Sequence, residues 1–317
     1  MDRRSLLKGV AAGALAAPAA ALLPAGAASA APAAFDVLVG DITSGRIMLF
    51  DRNKAFTSAN VKWSLDPAGG HPMEHRFRAT DGDGEILLVA AGTTTSGTAS
   101  IYRRSDKQKL WSANVPNYPH CIERARGTGV VVVAGRSDGG SGGTATGGSL
   151  HVFRPQNKYS SSLVPAQTIP FHQAHGLLWD PQLDRMWAIG GSVLTAYRIE
   201  TTSTSAKLVE DTARRITVTR GHDVQPDYRD TGRLLICETG GVHAVDKATM
   251  KKTQLHDRDL VKSYVQHASG EQMWTGAVAD GNAFGTRYVH FNLGTTRPVE
   301  TAGAVVYRAR IDTTFYQ

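Results

Sequence analysis

Five polar residues recur at one place in a repeating pattern of this chain: Glu74, His120, His175, His222 and Lys262, with spacings of 46, 55, 47 and 40 residues. Each opens a strand-like run after a short polar turn, in GGHPMEHRF, NYPHCIE, HQAHGLLWD, GHDVQPD and VKSYVQH. Brought to one point, this set can do acid–base chemistry beside a carboxylate. A neutral imidazole takes a proton, and Lys or Arg neutralises the substrate acid and the developing enolate. That is β-elimination from a uronic acid, with His175 or His222 as the base and Tyr307 as a further catalytic candidate. The same set can support hydrolysis, with Glu74 as general acid. His120, His175 and His222 can also ligate a divalent metal, with Glu74 as fourth ligand or supporting partner. Manganese, calcium and zinc all remain open, because the set mixes imidazole with carboxylate.

Residues so far apart meet only if the elements carrying them point to a common axis. A period of about 40 to 50 residues with several short strands per unit is the signature of a β-propeller, whose blades each send their first strand down the central channel. Runs such as FDVLVGD, EILLVAAG, VVVVAG, RMWAIGG and RLLICET are rich in Val, Ile, Leu and Trp and are punctuated by Gly, Asp, Asn and Pro. The expected fold is all-β, a propeller of six blades, with five or seven left open. FDVLVGD already reads as a second strand, so the first blade lacks an inner one. The terminal GAVVYRARID can supply it, which removes an open sheet edge. Tyr307 with Arg308 or Arg310 then fills the first blade's place, and Glu74, Lys262, Arg308 and Arg310 become the substrate-binding candidates.

The first thirty residues read as an address rather than as fold. Arg3 and Arg4 precede an alanine-rich apolar stretch that ends in Ala-Ser-Ala before Ala31, as in a twin-arginine export signal cleaved near Ala30. The expected product is a secreted monomer, 31–317, free of the membrane. The chain's formal charge is +7, and the leader's Asp2, Arg3, Arg4 and Lys8 account for +2, leaving +5 for the remainder. A basic protein suits an acidic glycan or a small anionic ligand. No basic stripe interleaved with aromatics suggests nucleic acid.

Cys121 and Cys237 fall in units that are not neighbours in a six-membered ring, so two buried thiols are expected rather than a disulfide. Asp223 can orient His222 or cap a turn, and Glu123 is expected to meet a neighbouring blade. Trp179, Asp180 and Trp187 read as blade-to-blade packing, and Trp274 and Tyr264 as core or as the channel mouth. The Gly-rich stretch 136–149 lacks the Gly-Lys-Ser/Thr ending of a phosphate loop and reads as a long hairpin. There is no dinucleotide fingerprint or Cys-x-x-Cys.

PHCIE, AHGLLWDPQLDRMWAIG, GHDVQPD, GRLLICETG, VKSYVQHASG and VVYRARI, spread over most of residues 36–311, together resemble a family of twin-arginine-exported actinobacterial propeller proteins, a domain of unknown function. The resemblance implies the propeller and no activity. In architecture the histidine-lined channel is similar to propeller polysaccharide lyases and streptogramin lyase. The resulting expectation is a secreted lyase cleaving an acidic, uronate-containing glycan. The alternatives are a non-catalytic propeller binding an anionic sugar or small ligand, a glycoside hydrolase, and a streptogramin-type lyase.

Overall fold

In a computed structural model of the chain, described for residues 31–94, 96–138, 146–277 and 284–317, six four-stranded antiparallel sheets form a six-bladed β-propeller. The leader and the centre of the Gly-rich stretch lie outside the described residues. Among the described residues there is no α-helix, only two three-residue 3-10 turns, and no helix long and apolar enough to cross a membrane.

Blades 2 to 6 have inner strands Pro72–Thr80, Pro119–Arg124, Ala174–Asp180, Asp223–Pro226 and Val261–Gln266. Blade 1 takes its inner strand from the C-terminal segment, Val306–Ile311, which pairs with Asp36–Asp41. The expected ring closure is therefore present.

The apolar runs are nearly continuous because each sheet is covered on both faces. Alternate residues of one strand serve different neighbours. In blade 3, Val131 and Val133 pack toward blade 2 with Ile86, Leu88 and Ile101. Val130, Val132 and Ala134 pack toward blade 4 with Leu177, Trp179 and Met186. Such seams join every adjacent pair of blades, including blades 6 and 1 through Val265, Met273, Val37 and Val306.

Ion pairs reinforce the seams. Buried Arg52 of blade 1 donates to Glu271 of blade 6. Between blades 4 and 5, Lys247 reaches Asp180 at 2.8 Å, and Trp187 donates to the same carboxylate. The segment after the closing strand reaches the far ends of other blades. Lys247 also donates to the Tyr316 hydroxyl, and the Ala79 amide donates to Gln317.

Both cysteines are buried thiols, as expected. Cys121 gives its S–H to Glu74 at 3.1 Å, and burial, with Glu74 beside it, pushes the thiol up to about 12. Cys237 is also raised well above its ordinary value, again chiefly by burial. A thiol reagent at pH 8 should therefore leave native protein unlabelled for hours and titrate two thiols once denaturant is added. Rapid labelling of the native protein would contradict this placement.

Candidate functional site

The inner strands share an irregularity that builds the site. In blades 2, 3, 4 and 6 the pairing skips one residue between Pro72 and Glu74, Pro119 and Cys121, Ala174 and Gly176, and Val261 and Ser263. The skipped residues are Met73, His120, His175 and Lys262. In blade 5 the His222 amide donates to the Cys237 carbonyl, although Asp223 is the residue paired with Cys237. In blade 1 Gly40 alone faces Tyr307 and Arg308. Gly40 must be a glycine: a Cβ there would come within 2.7 Å of the His75 ring. A β-bulge re-aims side chains and unhooks carbonyls from the ladder. Here it lets successive residues such as Tyr307 and Arg308 both reach the channel, and it turns carbonyls inward.

Those carbonyls meet one guanidinium. Arg308, fully buried, donates to the His120 carbonyl at 2.8 Å, to that of His175 at 3.0 Å and to that of His222 at 2.7 Å, and also to the Glu74 carboxylate. Beside it Arg310 bonds both Glu74 and Asp223, each through two contacts. Arg76 joins Glu74 to Glu123, and Arg78 completes Glu123. Burial alone would raise the Glu74 pKa, but Arg310, Arg76 and Arg308 outweigh it and hold the carboxyl well below its usual range.

Glu74, Arg308 and Arg310 thus lie in a buried network, bonded to one another. Asp223 neither orients His222 nor caps a turn, because both its oxygens are taken by Arg310. Glu123 meets blade 2, as expected.

Over this network the bulge residues wall a pocket of about 200 Å³, lined by Tyr307, His120, His175, His222 and Lys262, with Tyr118, Arg136 and Arg220. The imidazoles are edge-to-face neighbours, with ring centroids 4.7 Å apart for His120–His175 and 5.3 Å for His175–His222. His120 Nδ1 donates to the Tyr118 carbonyl at 3.0 Å, and His175 Nδ1 to that of Gln173 at 2.7 Å. A carbonyl only accepts, so the proton is on Nδ1 and Nε2 keeps its lone pair. His222 is buried with neither ring nitrogen paired among the described residues.

Burial is the main reason that all three imidazoles sit well below 6.5, and neighbouring cations add to it, with Lys262 the foremost for His222. Lys262 is itself lowered to about 8, by burial first and then by Arg220, Arg136 and Arg308. Burial raises Tyr307.

Arg136, Arg220 and Tyr118 were not among the sequence candidates. A signal for two of them existed. Tyr118, Gln173, Arg220 and Leu260 each stand two residues before a ring residue, and all four have left-handed φ, from 49° to 56°. Non-glycine residues adopt that region rarely, and such strain clusters at functional sites. Arg136 follows the second strand of blade 3 and carries no such mark.

The metal expectation fits this wall poorly. Among the described residues no group of three His, Cys, Asp or Glu side chains is arranged to hold an ion. Two of the histidines are tied edge-to-face by backbone carbonyls, and the other charged groups among the pocket's described residues are cations. Trp274 and Tyr264 lie away from the channel, in a side cavity with His256 and Arg258.

Fold and site together define a six-bladed propeller with one basic, histidine-walled pocket at the channel mouth. No protein-family model matches the chain, and no curated protein matches it. Solved structures do. The periplasmic gluconolactonase PpgL of Pseudomonas aeruginosa aligns with a TM-score of 0.58 at 16% identity, over 89% of this chain and 100% of that one. A putative 6-phosphogluconolactonase of Bacteroides uniformis aligns at 0.52 and 12% identity, over 87% and 82%. A chain in a mitotic checkpoint complex aligns at 0.52 and 15% identity, over 84% and 77%. At these identities the likeness is one of fold.

The expectation of a polysaccharide lyase is corrected by these findings. The two neighbours named above as enzymes bear lactonase names, and neither is a polysaccharide lyase. The geometry concurs, since Arg308 and Arg310, offered for the uronate carboxylate, are engaged beneath the pocket by Glu74 and Asp223.

Two predictions follow from the burial of these charges. Arg308→Met leaves Glu74 short of a partner and three carbonyls unpaired, and should cost about 3–5 kcal/mol of unfolding free energy in denaturant titration. Wild-type stability there would place the network's weight elsewhere. The histidines fix the pH dependence. Folded, they stay neutral below 6.5; unfolded, they protonate near 6.5. The unfolded state therefore binds more protons below that pH, and stability is full above it and lost on acidification. Glu74, depressed when folded, loses its contribution in the same direction at lower pH. Tm should hold steady near pH 7 and fall from pH 6.5 toward 4.5, with a shallower fall in His222→Asn.

Proposed function

We propose that the channel-mouth pocket binds a small anionic sugar derivative and hydrolyses its lactone. The observation that carries this reading is His222, buried against the pocket with both ring nitrogens unpaired among the described residues, beside a lysine and two arginines, with no carboxylate among the described lining residues. Buried polar groups are normally satisfied, so His222 calls for a polar ligand. The surrounding cations select an anionic one, and about 200 Å³ suits one sugar ring rather than a polymer segment. The lactonase names borne by fold neighbours point the same way.

The chemistry needs little beyond what lines the pocket. His175 presents Nε2 as a base, because Gln173 holds the proton on Nδ1. Its imidazole takes a proton from water as the oxygen adds to the lactone carbonyl. Lys262, still largely ammonium at neutral pH, and Arg220 meet the oxyanion. Collapse breaks the acyl–oxygen bond, and the imidazolium returns its proton to the leaving ring oxygen. The same cations then hold the product carboxylate. His222 bonds the ring hydroxyls.

The test is proton release with gluconolactone and its 6-phosphate, measured above the spontaneous rate. His175→Ala should lower kcat about 10²–10⁴-fold, and Lys262→Met should weaken both turnover and product binding. No acceleration over buffer would sink the hydrolytic reading. Gluconate raising Tm without turnover would reassign the pocket to ligand capture.

A further inference from the structure

We infer that Lys262 is a nucleophilic amine that condenses with a small carboxylate-bearing aldehyde or ketone in the channel-mouth pocket to form an imine. This rests on the anion preference proposed for the pocket, not on lactone hydrolysis.

The placement of Lys262 is unusual for a lysine. It is the bulge residue of blade 6, standing where blades 3, 4 and 5 carry histidines, and only 6% of its surface is exposed. No hydrogen bond or ion pair joins its Nζ to another described residue. The nearby acids are already engaged: Glu74 by Arg308, Arg310 and Arg76, and Asp223 by Arg310. The charged and titratable groups that act on it are Arg220, Arg136, Arg308 and the Cys237 thiol, with His222 beside it. A buried ammonium facing three guanidiniums and no counter-ion among the described residues gains by losing its proton, and a desolvated lysine next to cations is an activated nucleophile. Leu260 and Phe284 add apolar surface to the wall. Arg220, in the same lining, suits the substrate carboxylate.

The step balances without a co-reactant. The Nζ lone pair adds to the carbonyl carbon, and the carbonyl oxygen takes up a proton, giving a carbinolamine. Its hydroxyl then leaves, so that the two amine hydrogens and the carbonyl oxygen depart as one water and a C=N bond remains. The neutral imidazole of His222 can carry the proton between nitrogen and oxygen.

The probe is glyoxylate with cyanoborohydride, which reduces the imine to a stable secondary amine read by peptide mass spectrometry. At pH 7 a lysine near 8 holds more than about a hundredfold more free amine than one at 10.5. Lys262 should therefore label at least about tenfold faster than the other lysines, after allowance for its lower basicity. The labelling rate should rise with a midpoint near 8, excess gluconate should protect the site, and acetaldehyde, lacking the carboxylate, should lose the preference. Lys262→Arg keeps the charge and the fold, checked by Tm, and should remove the fast label. Labelling of Lys262 no faster than that of surface lysines, or insensitive to gluconate, would overturn the inference. The readout needs no lactone turnover, so selective labelling with an inert lactone assay would leave this inference standing, and turnover without labelling would remove it alone.

Discussion

One guanidinium organises the centre of this propeller. Arg308 comes from the closing strand of blade 1 and bonds carbonyls of blades 3, 4 and 5 as well as a carboxylate of blade 2. The carbonyls of His120 and His175 are available because a bulge frees them from the ladder, and that of His222 because it precedes its strand. Arginine suits the place because its planar fork presents several donors at once and keeps its charge when buried. Ring closure and site construction are therefore the same event. The segment that zips the last blade to the first also delivers the cation that draws the bulges toward the axis.

The electrostatics of the pocket follow from what lies beneath it. Four arginines, 76, 78, 308 and 310, face three acids, Glu74, Glu123 and Asp223, leaving the buried layer one charge positive (4 − 3). Among the described residues, Glu74, Glu123 and Asp223 are all engaged there rather than at the mouth. Above that layer, imidazoles cannot afford a further positive charge and stay neutral, and Lys262 is pushed the same way. A site that holds bases unprotonated and offers fixed cations is prepared for an anionic substrate that must lose or pass a proton near neutral pH.

Much of this was legible in the sequence. The 40–55-residue spacing located His120, His175, His222 and Lys262, and the missing inner strand of the first blade pointed to VVYRARI. Spacing could not resolve depth. Tyr307 and Arg308 are adjacent in sequence, yet one lines the pocket and the other lies beneath it, because a bulge puts consecutive residues on the channel side. Glu74 is shifted for the same reason. In blade 2 the bulge residue is Met73, which packs against Tyr118 and Tyr307, and Glu74 corresponds to Cys121 and Asp223 in the layer below. Bulges depend on pairing between strands, which one strand's residues do not declare. The lyase expectation rested on arginines whose partners only the folded ring supplies.

The repeated left-handed residues complete the physical picture. Tyr118, Gln173, Arg220 and Leu260 hold a conformation that costs on the order of 1–2 kcal/mol each for a side-chain-bearing residue. A glycine at any of them would relieve that cost. What glycine could not supply is the side chain: Tyr118, Arg220 and Leu260 line the pocket. The strained turn also places the carbonyls of Tyr118 and Gln173 under the Nδ1 atoms of His120 and His175. Backbone strain at the mouth thus fixes which imidazole nitrogen carries the proton. In blade 5 the same turn leaves His222 unbonded, and that exception is what makes its ring the one that calls for a ligand.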